Sequence, residues 1–212
     1  MAKLIDILTF SGKVGDMVGC KGAHGFYIRS RPKKIKSPAS PKQLEVRARL
    51  ALATGFLKPL KAVIHEGFSG TYPVNNKVSA MNAAASHVLN HALIGDYPDL
   101  RIDPAEVRLS RGTLGKLTIT KFGMANASVE VFWLPMVSSF SGHGDDRVKV
   151  VVYNPTEKTV MASEALREIG QATVDISDEP PGSELLVYVC ISDRDNKQFS
   201  NSQFLGKVRI DG

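Results

Sequence analysis

Residues 127–155, ASVEVFWLPMVSSFSGHGDDRVKVVVYNP, decide the fold. Two short runs, ASVEVFWLP and RVKVVVYNP, alternate apolar with polar side chains, the period of a strand with one face in a core. Between them lies SGHGDD, which has turn composition. Runs of the same kind occur upstream at VRLSRG and KLTITKF, and downstream at KTVMAS, ATVDIS, ELLVYVCIS and FLGKVRID. SDEPPGS and SDRDNKQFSNS separate the later ones. Seven or eight strands at this spacing predict an antiparallel β-sandwich over 107–212. The strand count and Trp133, a core-type residue, give it immunoglobulin or fibronectin type III character. Cys190 is the sole cysteine of this region, so no disulfide joins its sheets.

Upstream the period changes. Ser40-Pro41-Lys42-Gln43 carries a capping hydroxyl, a proline for the first helical position and a capping-box glutamine. Leu44, Ala48, Ala51, Leu52 and Gly55 then recur at helical spacing. Pro59 kinks or restarts this helix, which runs out near Gly67. A second helix is predicted over 76–94, with Met81, Ala85, Val88 and Ala92 as its buried stripe and Gly95 as its cap. In front of these helices, DMVGCKG and HGFYIRSR read as a hairpin closed around 21–25. Tyr27, Arg29 and Arg31 fall on one face of its last strand and Phe26 and Ile28 on the other. PKKIKSPASP, with three prolines in ten residues, is an extended arm. The chain is thus expected to be α+β: a β-hairpin with a basic arm and a two-helix unit over 1–106, then the sandwich over 107–212.

The 212 residues carry a net charge of +6, unevenly placed. Residues 1–65 hold 13 Lys and Arg against Asp6, Asp16 and Glu45, a net of +10, and the rest is at −4. Any electrostatic partner is expected at the front of the chain. No window has the apolar length of a membrane span, and the first residues lack a signal-peptide core, so a cytoplasmic, reducing location and no membrane partner are expected. Cys20 and Cys190 read as free thiols.

Chemistry is sparse. Gly12-Lys13-Val14 and Gly19-Cys20-Lys21-Gly22 lack the Ser or Thr that a phosphate-binding loop places on its metal. His87 and His91 stand at i and i+4, but a third ligand is not evident. His143, Asp145 and Asp146 offer oxygens for calcium or simply a turn. Asp193 and Asp195 fit a hairpin tip, and His65-Glu66 a polar helix end. No Ser, Cys and His set with a catalytic context is recognisable. An enzyme is not expected, nor any cofactor or metal.

The positive signal is the arm. Lys21, Arg29, Arg31, Lys33, Lys34 and Lys36 lie within sixteen residues, beside Phe26 and Tyr27. Tyr27, Arg29, Arg31, Lys33, Lys34, Lys36 and Arg47 are the candidate contacts. Their partner is either protein, a second copy included, or nucleic acid, whose phosphates the cations would neutralise while an aromatic ring stacks a base. A third reading, a carbohydrate or other ligand held by the loops at 138–147 and 192–203, rests on analogy with other sandwiches.

SGKVGDMVGCKGAHGFYIRSRPKKIKSPASPKQLEVRARLALATGFLKPLK resembles the N-terminal signature of an uncharacterised family from Bacteroidota genomes, GKVGNVV…G…Y.R.RP…(S/T)..Q...R..F..A..FL.PL. SAMNAAASHVLNHALIGDYPDLRIDPAEVRLSRG, VVVYNP and SNSQFLGKV extend the resemblance over nearly the whole chain. It implies no activity. Cys20 and Ala23-His24 depart from the pattern. A shorter similarity of the front end to small phage and prophage proteins implies an assembly component, and hence the cytoplasm or a phage-like particle.

Overall fold

In a computed structural model of the chain, residues 3–6, 9–22, 25–33, 38–70, 79–135 and 142–210 are described. They form two compact units, Met1–Ser40 and Pro41–Gly212. The division falls at the end of the proline-rich arm and not at 106/107, because the helices share a core with the sandwich. The two-helix unit is therefore not separable from the strands.

The first unit is a single antiparallel sheet in the order β1 (Lys3–Asp6), β2 (Thr9–Val14), β3 (Met17–Gly22), β4 (Gly25–Ser30). The expected hairpin is its second half, with Met17 opposite Ser30 and Gly22 opposite Gly25. The sequence reading missed β1 and β2. Val14 faces Met17 across a two-residue turn in which Gly15 has φ +55°, a conformation natural to glycine.

The second unit has three layers. Helix α1 (Pro41–Leu57) starts at the expected proline, and the chain restarts after Pro59 as α2 (Lys61–Gly67). Helix α3 (Ala80–His87) is capped by Ser79, whose hydroxyl accepts from the Asn82 amide, and continues as a π-helical turn over Val88–Ala92. The part of that helix predicted before 79 lies outside the described residues. Gly95 has a left-handed φ of +83° but does not cap the helix. It turns the chain between β5 (Leu93–Ile94) and β6 (Arg101–Ile102), which pair.

Among the described residues seven strands make the sandwich, so the fold is α+β with an immunoglobulin/fibronectin III-like arrangement. β7 (Ile119–Ala125), β8 (Ser128–Trp133) and β11 (Gln171–Asp175) form a sheet in the order β11-β8-β7. β9 (Arg147–Asn154), β10 (Thr159–Leu166), β12 (Glu184–Ser192) and β13 (Gln203–Arg209) form the other, in the order β10-β9-β12-β13. VRLSRG is not a strand. The amide of Leu109 donates to the Ser202 hydroxyl, that of Arg111 to the Gly67 carbonyl and the Ser110 hydroxyl to the Ser200 carbonyl, so its polar groups serve a loop and the end of α2 instead of a ladder.

The four-stranded sheet is buried on both faces. Val148, Val150, Val152, Leu185, Val187, Val189 and Ile191 meet the three-stranded sheet around Trp133. Val151, Tyr153, Leu186, Tyr188 and Cys190 meet the helices through Leu57, Leu60, Ile64, Phe68, Ala84 and Val88. This explains why β9 and β12 read as continuous apolar runs. The helical stripes differ from those expected. In α1 the buried residues are Ala53 and Leu57, while Leu44, Ala51 and Gly55 are exposed. In α3 they are Ala80, Ala84, Val88 and Ala92, with Met81 and Ala85 beside them.

Candidate functional site

Register assigns each side of the N-terminal sheet, since paired residues of antiparallel strands share a face. Lys13 pairs with Val18 and Val18 with Arg29, while Cys20 pairs with Tyr27. Lys13, Arg29 and Tyr27 thus share one face, on which the Tyr27 ring lies against Gly22. Phe10, Val14, Met17, Phe26 and Ile28 share the other, with glycines 12 and 19 between them. Gly19 is required there: a β-carbon would stand 1.9 Å from the Phe10 carbonyl oxygen.

The expected opposition of Tyr27 and Arg29 to Phe26 and Ile28 is what the pairing gives. The apolar face was half-seen, because Phe10, Val14 and Met17 enter it through β2 and β3. The alternation Phe10-x-x-x-Val14 was its available signal.

Much of this apolar face is open to solvent among the described residues, although Phe10 lies over Gly19. Val14, Met17, Phe26 and Ile28 expose 46, 50, 38 and 52% of their surface, against 0% for Leu57 of the helical core. Every residue of β4 is exposed. It is also an edge strand of its sheet, so its outer N–H and C=O groups have no ladder partner within that sheet. Lys21 sits beside Phe26, its Nζ 5.7 Å from the ring centroid.

Arg31 and Lys33 continue beyond β4 and are exposed; the Arg31 amide donates to the Asp16 carbonyl at 2.7 Å. Lys34 and Lys36 lie outside the described residues. Arg47 is exposed on α1, in the second unit. The charge split also follows the two units. Residues 1–40 hold eight Lys and Arg against Asp6 and Asp16 and so carry the whole +6, while 19 bases and 19 acids balance in residues 41–212.

The remaining candidates are engaged in structure. His87 Nε2 lies 3.0 Å from the Glu106 carbonyl, and its ring stacks on His91 at 4.6 Å. Burial and the neighbouring Arg108 lower its pKa, keeping the ring neutral. Asp146 is buried, accepting from the His143 amide at 2.9 Å and from Arg167 at 3.2 Å. Asp145 approaches Arg194 instead. Asp193 accepts from the amides of Lys197 and Gln198, as a turn aspartate does. Glu66 and Glu164 both bind Lys149, the latter at 2.7 Å. Among the described residues no three His, Cys, Asp or Glu are placed to hold a metal, and no helix is long and apolar enough to cross a membrane. Cys20 and Cys190 are free thiols. Of the sandwich loops named as ligand sites, residues 138–141 lie outside the described residues.

A family of unknown function (DUF6266) matches residues 9–206. No curated protein matches the chain. Among solved structures, the FN1–FN3 domains of chicken CNTN1 are similar in part. Identity is 15% and the TM-score 0.36, over 48% of this chain and 36% of that one. The chain thus spans about a third of that structure.

Proposed function

The chain belongs to DUF6266, a family of unknown function, and from that premise we propose that it is a non-enzymatic structural protein, assembling through its N-terminal sheet and basic arm. The observation that carries this reading is the solvent-exposed apolar side of Val14, Met17, Phe26 and Ile28 on a unit of 40 residues. Chains of about that size rarely hold a core without a disulfide, a metal or an oligomeric partner. Cys20 is unpaired, and a partner surface is another means of completing so small a unit. A second copy of the chain is the leading occupant, with β4 as the strand that meets it.

Nucleic acid is the alternative, favoured by one observation: Lys13, Tyr27 and Arg29 share the opposite face. Cations beside an exposed ring suit a single strand.

Light-scattering mass over a concentration and salt series distinguishes the two. The expected result is a defined multiple of 23.0 kDa for the full chain, falling to a monomer in Ile28→Lys and in a chain lacking residues 1–40. A full chain that stays monomeric, and is indifferent to both changes, overturns assembly. Salt-sensitive binding of an oligonucleotide, lost when Arg29, Arg31, Lys33, Lys34 and Lys36 become Ala, would then establish the alternative.

A further inference from the structure

The second unit holds a groove of about 560 Å³ between α1, β6 and the helix-facing side of the four-stranded sheet. Its volume is that of a small-molecule site. Leu52, Phe56, Leu100 and Ile102 form its apolar wall, and beneath it the buried Tyr153 ring meets Phe56 edge to face with centroids 5.1 Å apart. Arg101 and Lys158 line it, are exposed, and make no ion pair among the described residues. The one carboxylate in the lining, Glu184, is held by Lys207 at 2.7 Å. The groove therefore joins an apolar interior to two uncompensated cations.

Gly55 is a second, independent observation. It occupies an interior position of α1, where glycine costs a helix about 1 kcal/mol relative to alanine. Packing does not demand it, since a β-carbon there would meet nothing within 4 Å. Its missing side chain leaves the groove open.

The geometry points to a binding site for an amphiphilic carboxylate, a single apolar chain with one anionic head. The chain lies against Leu52, Phe56, Leu100 and Ile102, and the head meets Arg101 and Lys158. Neither the first unit nor the assembly reading enters this assignment.

Titration calorimetry of the full chain with decanoate, decanol and decyltrimethylammonium tests it. Decanoate binds about tenfold more tightly than decanol, and decyltrimethylammonium does not bind. Arg101→Glu with Lys158→Glu reduces decanoate to the level of decanol. Gly55→Leu abolishes binding of both, with an unchanged circular dichroism spectrum and melting temperature. Equal binding of the three amphiphiles overturns the assignment, as does undiminished binding by folded Gly55→Leu. Failure of decanoate to bind overturns it too, and binding of an acidic leucine-bearing peptide in its place would make the groove a protein-docking surface.

Discussion

At the scale of single residues, burial separates groups that look alike in the sequence. Burial pushes the Cys190 thiol up to about 11, so little thiolate forms at neutral pH. Cys20 is partly open to solvent. In the native state a thiol reagent should therefore titrate one cysteine per chain, and Cys20→Ser should abolish the reaction while Cys190→Ser leaves it. The acids of SGHGDD differ in the same way. Asp145 is exposed, whereas Asp146 and Arg167 each expose 2% of their side chains and pair at 3.2 Å. Asp146→Ala leaves a buried guanidinium uncompensated and should cost about 3–5 kcal/mol in denaturant unfolding. Asp145→Ala should change stability by less than about 1 kcal/mol. Gly142 brings the chain past that pair with φ +126°, and a β-carbon would lie 2.2 Å from Arg167. Such close approach is not visible in a glycine-rich string of letters.

Elements were legible where one period ran without interruption. All seven sandwich strands overlap the expected runs, β7 and β10 reaching three residues past theirs, because a spacing of two survives burial on either face. The helix stripes were not, for a reason specific to this chain. Ala53, Leu57, Leu60, Ile64 and Phe68 form one buried line that crosses the break at Pro59. A stripe drawn from α1 alone starts at Leu44, which is exposed. VRLSRG was misread because Val107 and Leu109 are buried at strand spacing while their backbone pairs with loops. The exposed apolar side of the N-terminal sheet was hidden until register joined Val14 and Met17 to Phe26 and Ile28.

Between elements, Lys149 fastens α2 to β9 and β10 through Glu66 and Glu164. Burial opposes its charge, but the hydrogen bonds it donates to the two carboxylates outweigh it and hold its pKa above the ordinary lysine value. Because the folded pKa is raised, this stabilisation is complete below the unfolded lysine pKa and is lost as pH rises through the folded one. Lys149→Met should cost about 2 kcal/mol at neutral pH. Its stability difference from the native chain should shrink above pH of about 10.4, read by urea midpoints across that range.

On the scale of the whole molecule, charge and core belong to different units. Residues 41–212 contain both hydrophobic clusters and no net charge. A chain beginning at Pro41 should therefore fold, melt as one transition within a few degrees of the corresponding transition of the full chain, and lose retention on a cation exchanger at neutral pH. Unfolding of that fragment at room temperature would show that its core depends on the first forty residues.

The double burial of β9 and β12 has a bearing on motion. Each has a hydrogen-bonded strand on both sides, and their faces meet helices on one side and a second sheet on the other. Loosening either outer layer alone leaves their amides shielded. Proton exchange at Val150 or Val187 should thus wait for the whole unit to open, and its rate becomes a clock for global unfolding. Amides on β4, exposed along an edge, keep time only with their own small sheet.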